Sequence, residues 1–84
     1  MNYTQITKTM IEKGYEISDF TNYEIEFRKE TSEHTIVVEL RDDTFKIEAM
    51  LHCASPVLNI ELSLPYLDDS KLNELLALAE KYAD

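Results

Sequence analysis

The sequence predicts an α+β domain: a four-stranded antiparallel meander with an N-terminal and a C-terminal helix packed on one face, in the order α-β-β-β-β-α. Apolar residues recur at helical spacing near both ends of the chain and alternate with polar residues between them. The single glycine and the two prolines fall where these elements are expected to end. A chain of 84 residues suits one domain with a thin core, so we treat residues 1–84 as a single domain.

The first predicted element is a helix from about Tyr3 to Lys13. Asn2 can cap its N-terminus, and Gln5 stands in the capping-box position three residues later. Gly14 follows where a left-handed residue commonly ends a helix. The apolar face of this helix consists of Tyr3, Ile6, Met10 and Ile11.

Four strands are predicted by alternation, over residues 23–29, 34–41, 44–52 and 57–64. Every second residue of each strand is apolar and is expected to point inward. The inward residues are Tyr23, Ile25 and Phe27, then Ile36, Val38 and Leu40, then Phe45, Ile47, Ala49 and Leu51, and finally Leu58, Ile60, Leu62 and Leu64.

The lengths of the turns predict the strand register. A two-residue turn at 42–43 and four-residue loops at 30–33 and 53–56 place apolar residues opposite apolar residues in all three hairpins. Slipping a strand by one residue would turn its apolar side chains to solvent. The predicted pairs include Phe27 with Ile36, Leu40 with Phe45, and Leu51 with Leu58.

The last predicted element is a helix from about Asp69 to Ala83. Pro65 ends the fourth strand, and Asp68 can cap the helix. The negative charge of Asp69 interacts favourably with the positive N-terminal end of the helix dipole. Its apolar face is formed by Leu72, Leu75, Leu76, Ala79, Tyr82 and Ala83.

The face of the sheet turned away from the helices is the candidate site. The predicted registers give one row of Glu24, Glu39, Lys46 and Ser63, and a second row of Glu26, Val37, Glu48 and Glu61. Lys46 is the only cation in these rows, with Arg28 and Arg41 at opposite edges. Like charges placed directly opposite one another, as in Glu24–Glu39 and Glu48–Glu61, cost stability.

We interpret this acidic block as a protein-binding surface, and a merely solvated face is the alternative. Apolar residues that also point outward favour binding, because apolar side chains among charges are typical of protein interfaces. The candidate binding residues are Glu24, Glu26, Glu39, Glu48, Glu61, Val37 and Met50, with Val57 beside them.

The charge balance restricts the partner. Seventeen Asp and Glu residues against eight Lys and Arg residues give a net charge of −9. Such a surface repels nucleic acid and anionic membranes, and it attracts basic proteins. High solubility is the simpler explanation of the same charge.

The sequence carries no pattern that indicates catalysis, a metal or a cofactor. His34, His52 and Cys53 lack the spacing of a zinc site, and Cys53 has no orienting partner for nucleophilic catalysis. Ser55 precedes Pro56 and fits loop chemistry. Gly14 alone cannot build a phosphate-binding loop. We therefore expect a non-enzymatic protein without cofactors.

The same residues predict a cytoplasmic location. One cysteine permits no internal disulfide, which favours a reducing compartment. The opening residues 1–9 are polar rather than signal-like, and no apolar run approaches the ~20 residues that cross a bilayer.

In size and acidity the chain resembles small phage-encoded inhibitors, including anti-CRISPR proteins that block Cas nucleases by posing as DNA. Residues 1–17 are similar to the start of one such inhibitor, at Met1-Asn2-Tyr3, Ile6, Ile11, Lys13, Tyr15 and Ile17. The resemblance implies an inhibitor acting in the host cytoplasm, and it carries over no binding residue.

Two other hypotheses stay open. The chain also has the character of toxin-immunity proteins and acidic secretion chaperones, and it can act as a homodimer through its open face or an edge strand. Glu24 and Glu26 would guard the first predicted strand against edge pairing, whereas the fourth, Val57 to Leu62, is less guarded. A small-molecule binder or enzyme would need a pocket between the helices and the sheet.

Overall fold

The computed structural model describes residues 1–32, 34–51 and 56–83. It confirms the α+β class and the helices near both ends of the chain, but these described residues form five strands where the sequence predicted four. The elements are α1 (Tyr3–Glu12), β1 (Glu16–Phe20), β2 (Glu24–Glu30), β3 (His34–Arg41), β4 (Thr44–Leu51), β5 (Pro56–Ser63), a short 3₁₀ turn (Leu64–Tyr66) and α2 (Asp69–Ala83).

The unpredicted strand, β1, pairs antiparallel with β2. It places Ile17 opposite Phe27 and Phe20 opposite Ile25, but a bulge between Ile17 and Asp19 separates the two apolar residues by three positions. This spacing breaks the period-two signal of a strand. Ile17 and Phe20 are also 46% and 68% exposed, so β1 has no buried apolar face that would mark it as a strand.

The five strands form one antiparallel sheet in chain order. β2 is therefore an inner strand, and the prediction that Glu24 and Glu26 guard an edge is wrong. β1 and β5 form the two edges.

One of the three predicted registers is confirmed. Leu40 lies opposite Phe45 across the two-residue turn at 42–43. In the other two hairpins the pairing differs by two residues, so Phe27 faces Val38 and Leu58 faces Ala49. A slip of two residues keeps every side chain on its predicted face, because side chains alternate with a period of two.

The first of these slips arises at the β2–β3 loop, which is one residue later than predicted. Glu30 pairs with Thr35, and the Thr31 N–H donates to the His34 carbonyl at 2.9 Å. Of the predicted loop after β4, residues 53–55, which include Cys53 and Ser55, lie outside the described residues, as does His52, and Pro56 is already the first residue of β5.

Both helices cover one face of the sheet. α2 packs chiefly on β3 and β4. The core is one cluster in which strand residues such as Phe27 and Phe45 meet helix residues such as Ile6 and Leu72.

Tyr23, predicted to point inward, precedes β2 and is 73% exposed.

The helix caps form as predicted. The Gln5 N–H donates to Asn2 Oδ1 and the Asn2 N–H donates to Gln5 Oε1, both at 2.9 Å. The Lys71 N–H donates to Asp68 Oδ1 at 2.8 Å, which caps α2.

Across the described ranges no helix combines the length and apolar character needed to cross a membrane.

Candidate functional site

The open face of the sheet carries the polar side chains of β2 to β5, and its middle is a row of three glutamates and one lysine. Glu26, Glu39, Lys46 and Glu61 lie opposite one another on successive strands, and we call them the central row. Asp19 of β1 extends this row beside Glu26. Three of the five predicted glutamates thus stand in one line across the sheet.

Two flanking rows border the central row. On one side lie Glu24, Arg41, Thr44 and Ser63, and on the other lie Arg28, Val37, Glu48 and Asn59. The predicted neighbours Glu39 with Lys46 and Val37 with Glu48 are confirmed between β3 and β4. The predicted neighbours between β2 and β3 and between β4 and β5 are wrong, although every residue is on the predicted face. Glu24 lies opposite Arg41 instead of Glu39, and Glu48 lies between Val37 and Asn59 instead of beside Glu61. The carboxylates that do lie directly opposite one another are Glu26 and Glu39, and Asp19 and Glu26.

Three cations are distributed among these carboxylates. Lys46 Nζ lies 2.8 Å from Glu48 Oε1, and Arg28 Nη2 lies 3.9 Å from Glu26 Oε2. The hydrogen bond to Glu48 and the negative charges of Glu48, Glu39 and Glu61 raise the pKa of Lys46, so its ammonium is stabilised. Lys46 is thus not the only cation of the block, because Arg28 and Arg41 stand in the flanking rows.

The ionised form of Glu39 is disfavoured by its surroundings on this face. Its partial burial, followed by the charge of Glu24 and a hydrogen bond with Glu24, raises the pKa of the Glu39 carboxyl, against the opposing effect of Lys46 and Arg41. Glu24 and Glu39 therefore interact diagonally, although they are not opposite one another. A face that holds two carboxyls in this way gains from any cation that approaches it from outside.

Glu26 is held in place by a residue that sequence reasoning missed. The Ser18 hydroxyl of β1 lies 2.6 Å from Glu26 Oε2 and 3.3 Å from the Glu26 carbonyl oxygen. No periodic signal placed Ser18 beside Glu26, because the bulge in β1 interrupts the alternation. The hydroxyl orients one end of the central row.

The predicted apolar residues lie on one side of the central row. Val37 stands between Arg28 and Glu48 in the flanking row. Met50 lies one row further, opposite Thr35 and Pro56. Val57 is exposed at the bulge where the β4–β5 register shifts. The face therefore has a charged half and a smaller, partly apolar half.

On its charged half the open face contains a depression lined by Glu39, Arg41, Asp42, Thr44, Lys46 and Glu61. Its walls carry both signs of charge, which suits polar contacts with a partner side chain. Among the described residues, no three His, Cys, Asp or Glu side chains are grouped to hold a metal ion. The geometry offers ionic and hydrogen-bonding contacts to a ligand that approaches from above the sheet.

Comparison with protein-family models, with curated proteins and with solved structures finds no match for this chain. Its open face is therefore interpreted from its own chemistry.

Proposed function

We propose that this chain is a protein-binding inhibitor that docks its open sheet face onto a basic, nucleic-acid-binding surface of a partner protein. The observation that supports this best is the central row, in which Glu26, Glu39 and Glu61 are placed in line on β2, β3 and β5. Glu24 and Glu48 lie in the flanking rows beside them. Carboxylates at fixed positions can occupy the sites at which Lys and Arg side chains of the partner bind phosphates.

The cost of the arrangement supports a binding role. Directly opposed like charges such as Glu26 and Glu39 destabilise a sheet. Neutral side chains at these positions would avoid that cost. Local violations of the folding rules are expected at functional sites, where the partner supplies the missing counter-charges.

The mode of action in this proposal is steric and electrostatic. The net charge of −9 accelerates encounter with a basic partner, and the carboxylates then form ion pairs at its surface. Val37 and Met50 add apolar contact at one side of the docked face. No bond is made or broken, and the protein acts in the cytoplasm by excluding nucleic acid from the partner.

The experiment is a capture of proteins from a nuclease-treated bacterial lysate on the immobilised chain, with elution by rising salt and identification by mass spectrometry. Each captured protein is then purified and tested for competition between the chain and a double-stranded DNA oligonucleotide. We expect to capture basic nucleic-acid-binding proteins. Double-stranded DNA should displace the chain from these proteins, and rising salt should weaken their binding to the chain.

A matched pair of variants tests the face itself. Glu26→Gln with Glu61→Gln removes two charges from the central row, and Glu12→Gln with Glu74→Gln removes two exposed charges from the helices. We expect about a tenfold loss of affinity for the first pair and about twofold or less for the second. Equal losses would show that only net charge matters, and retained binding by the first variant would refute docking through this face.

A further inference from the structure

The two edges of the sheet differ in how well they are protected against pairing with another strand. The β1 edge carries Glu16 and Asp19 and is bent by its bulge, both of which discourage strand addition. The β5 edge pairs without a bulge from Leu58 to Ser63, and Glu61 is the only charged residue of β5. Within the described part of the chain, β5 is thus the edge open to a further strand.

The inward side of β5 is incompletely covered. Leu58, Ile60 and Leu62 contact the core but are only partly buried. This is because α2 lies chiefly over β3 and β4 rather than β5. Three apolar side chains in line along an open edge leave a strip that a further strand would complete.

α2 continues this strip. Its Glu80 flank faces β2, since the Glu80 carboxylate accepts from Lys29 Nζ at 3.1 Å. The opposite flank, which helical geometry turns toward β5, carries Leu78 and Tyr82, 36% and 48% exposed. Apolar residues from strand and helix therefore border the same edge.

We infer that β5 is the dimer interface of this protein and pairs with β5 of a second copy, antiparallel about a two-fold axis at Ile60. This register places Ile60 opposite the partner's Ile60 and Leu58 opposite the partner's Leu62 on the inward side, so that all three apolar residues gain an apolar neighbour. On the outward side it places Asn59 opposite the partner's Glu61, which avoids opposing like charges.

The hydrogen-bonding pattern agrees with this register. The two-residue hairpin closes on the pair Arg41–Thr44, which fixes the alternation of bonded pairs across the sheet. Counted from there, the main-chain N–H and C=O groups of Asn59 and Glu61 point away from β4. A pairing about Ile60 joins these free groups to one another across the axis, as a symmetric interface requires. Sliding the axis by one residue to Asn59 leaves Leu62 opposite Pro56 and loses part of the apolar match.

The resulting dimer has one continuous sheet, with both open faces on the same side. This inference is independent of the proposed function, since it concerns the edge of the sheet and not what the open face binds. It is tested by measuring mass, without any partner. Sedimentation equilibrium from about 1 µM to about 1 mM chain should show a reversible change from the 9.8 kDa chain to twice that mass.

Exposed charges test the register. Asn59→Glu would oppose the partner's Glu61 twice per dimer and should weaken dimerisation about tenfold. Adding Glu61→Lys to Asn59→Glu turns both contacts into opposite-charge pairs and should restore the affinity to within about twofold. Asn22→Glu, the same change in an exposed segment between β1 and β2, serves as the control and should leave the mass distribution unchanged.

Three results would overturn the dimer interface, and a fourth would refute its register. The first is a single-chain mass at every concentration. The second is a dimer that Asn59→Glu does not weaken, and the third is an equal loss in Asn59→Glu and Asn22→Glu. Circular dichroism of each variant separates weakened pairing from lost folding, and failure of the double variant to recover would refute the register about Ile60.

Discussion

The Lys29 ammonium lies 3.1 Å from a carboxylate oxygen of Glu80, and this ion pair joins β2 to α2. The same nitrogen lies 3.2 Å from the Lys13 carbonyl oxygen at the end of α1 and 5.4 Å from the centre of the Tyr15 ring. One side chain thus connects the sheet to both helices. It also supplies positive charge at the C-terminal end of α1, where the helix dipole is negative.

We expect Lys29→Met to lower the free energy of unfolding by about 1 kcal/mol, because a partly exposed ion pair and a bond to a helix-terminal carbonyl are lost together. Urea denaturation measures the change. Lys71→Met is the control, since its 3.5 Å contact with Glu74 is a more exposed pair within α2 and should contribute only about 0.3 kcal/mol. Equal effects of the two substitutions would contradict a role for Lys29 in joining the elements.

Tyr15 is a candidate for stabilisation by substitution. Its ring is buried, and its hydroxyl has no hydrogen-bond partner among the described residues. Burial, followed by the charge of Glu80, raises the pKa of this hydroxyl, so it stays neutral. Because a buried hydroxyl without a partner destabilises the folded state, Tyr15→Phe should raise the free energy of unfolding by about 1 kcal/mol.

Tyr3→Phe provides the control of opposite sign. The Tyr3 hydroxyl donates to the Asp42 carbonyl at 2.7 Å, a bond that links α1 to the β3–β4 turn. Its removal should lower the free energy of unfolding by about 1 kcal/mol. If thermal unfolding shows both substitutions to be destabilising, the Tyr15 hydroxyl has a partner in solution.

Glu39 should make stability depend on pH. The folded-state pKa of Glu39 lies above the ordinary value of 4.5. At pH values between the ordinary pKa and the raised pKa, the folded protein therefore binds more protons than the unfolded chain. Through this window the contribution of Glu39 to the free energy of unfolding falls as pH rises, and the resulting penalty is complete at neutral pH. Glu39→Gln should therefore stabilise the protein at pH 7 by about 0.5 kcal/mol and have little effect below the window.

Urea titrations at several pH values measure this difference. Glu48→Gln is the matched control on the same face, because it removes the 2.8 Å partner of Lys46 and should destabilise the protein at pH 7. A Glu39→Gln variant less stable than the parent at pH 7 would show that attraction to Lys46 and Arg41 outweighs repulsion from Glu24.

The parts of the fold that local chemistry determines were predictable. The Asn2–Gln5 capping box and the two-residue turn before Thr44 depend on a few adjacent residues, and both were predicted correctly. β1 was not predictable from alternation, because its bulge and its exposure remove the period-two pattern. Where loops are longer, alternation restricts the register only to multiples of two residues, so two hairpins were predicted two residues out.

Alternation along the strands predicts the face on which a site residue lies, but not its neighbour on the next strand. A slip of two residues does not move a side chain to the other face, so the residues of the two predicted rows all lie on the predicted face. Their neighbours were predicted correctly only between β3 and β4, because neighbours depend on the register itself. The direct opposition of Glu26 and Glu39, and the Ser18 hydroxyl beside Glu26, emerged only from the three-dimensional pairing.

Gly14 should be needed for its backbone conformation and not for space. It ends α1 at a φ of +89°, and an added Cβ would meet nothing within 4 Å. The cost of Gly14→Ala is therefore conformational, about 1 kcal/mol in the free energy of unfolding. Gly14→Asn should cost less, because Asn tolerates left-handed backbone better than Ala.

A D-alanine at position 14, introduced by chemical synthesis of the 84-residue chain, separates the two explanations. Its preferred φ is positive, so it should match or exceed the stability of the parent by restricting the unfolded chain. If L-alanine and D-alanine destabilise the protein equally in urea denaturation, the methyl group itself is harmful and the conformational explanation is wrong.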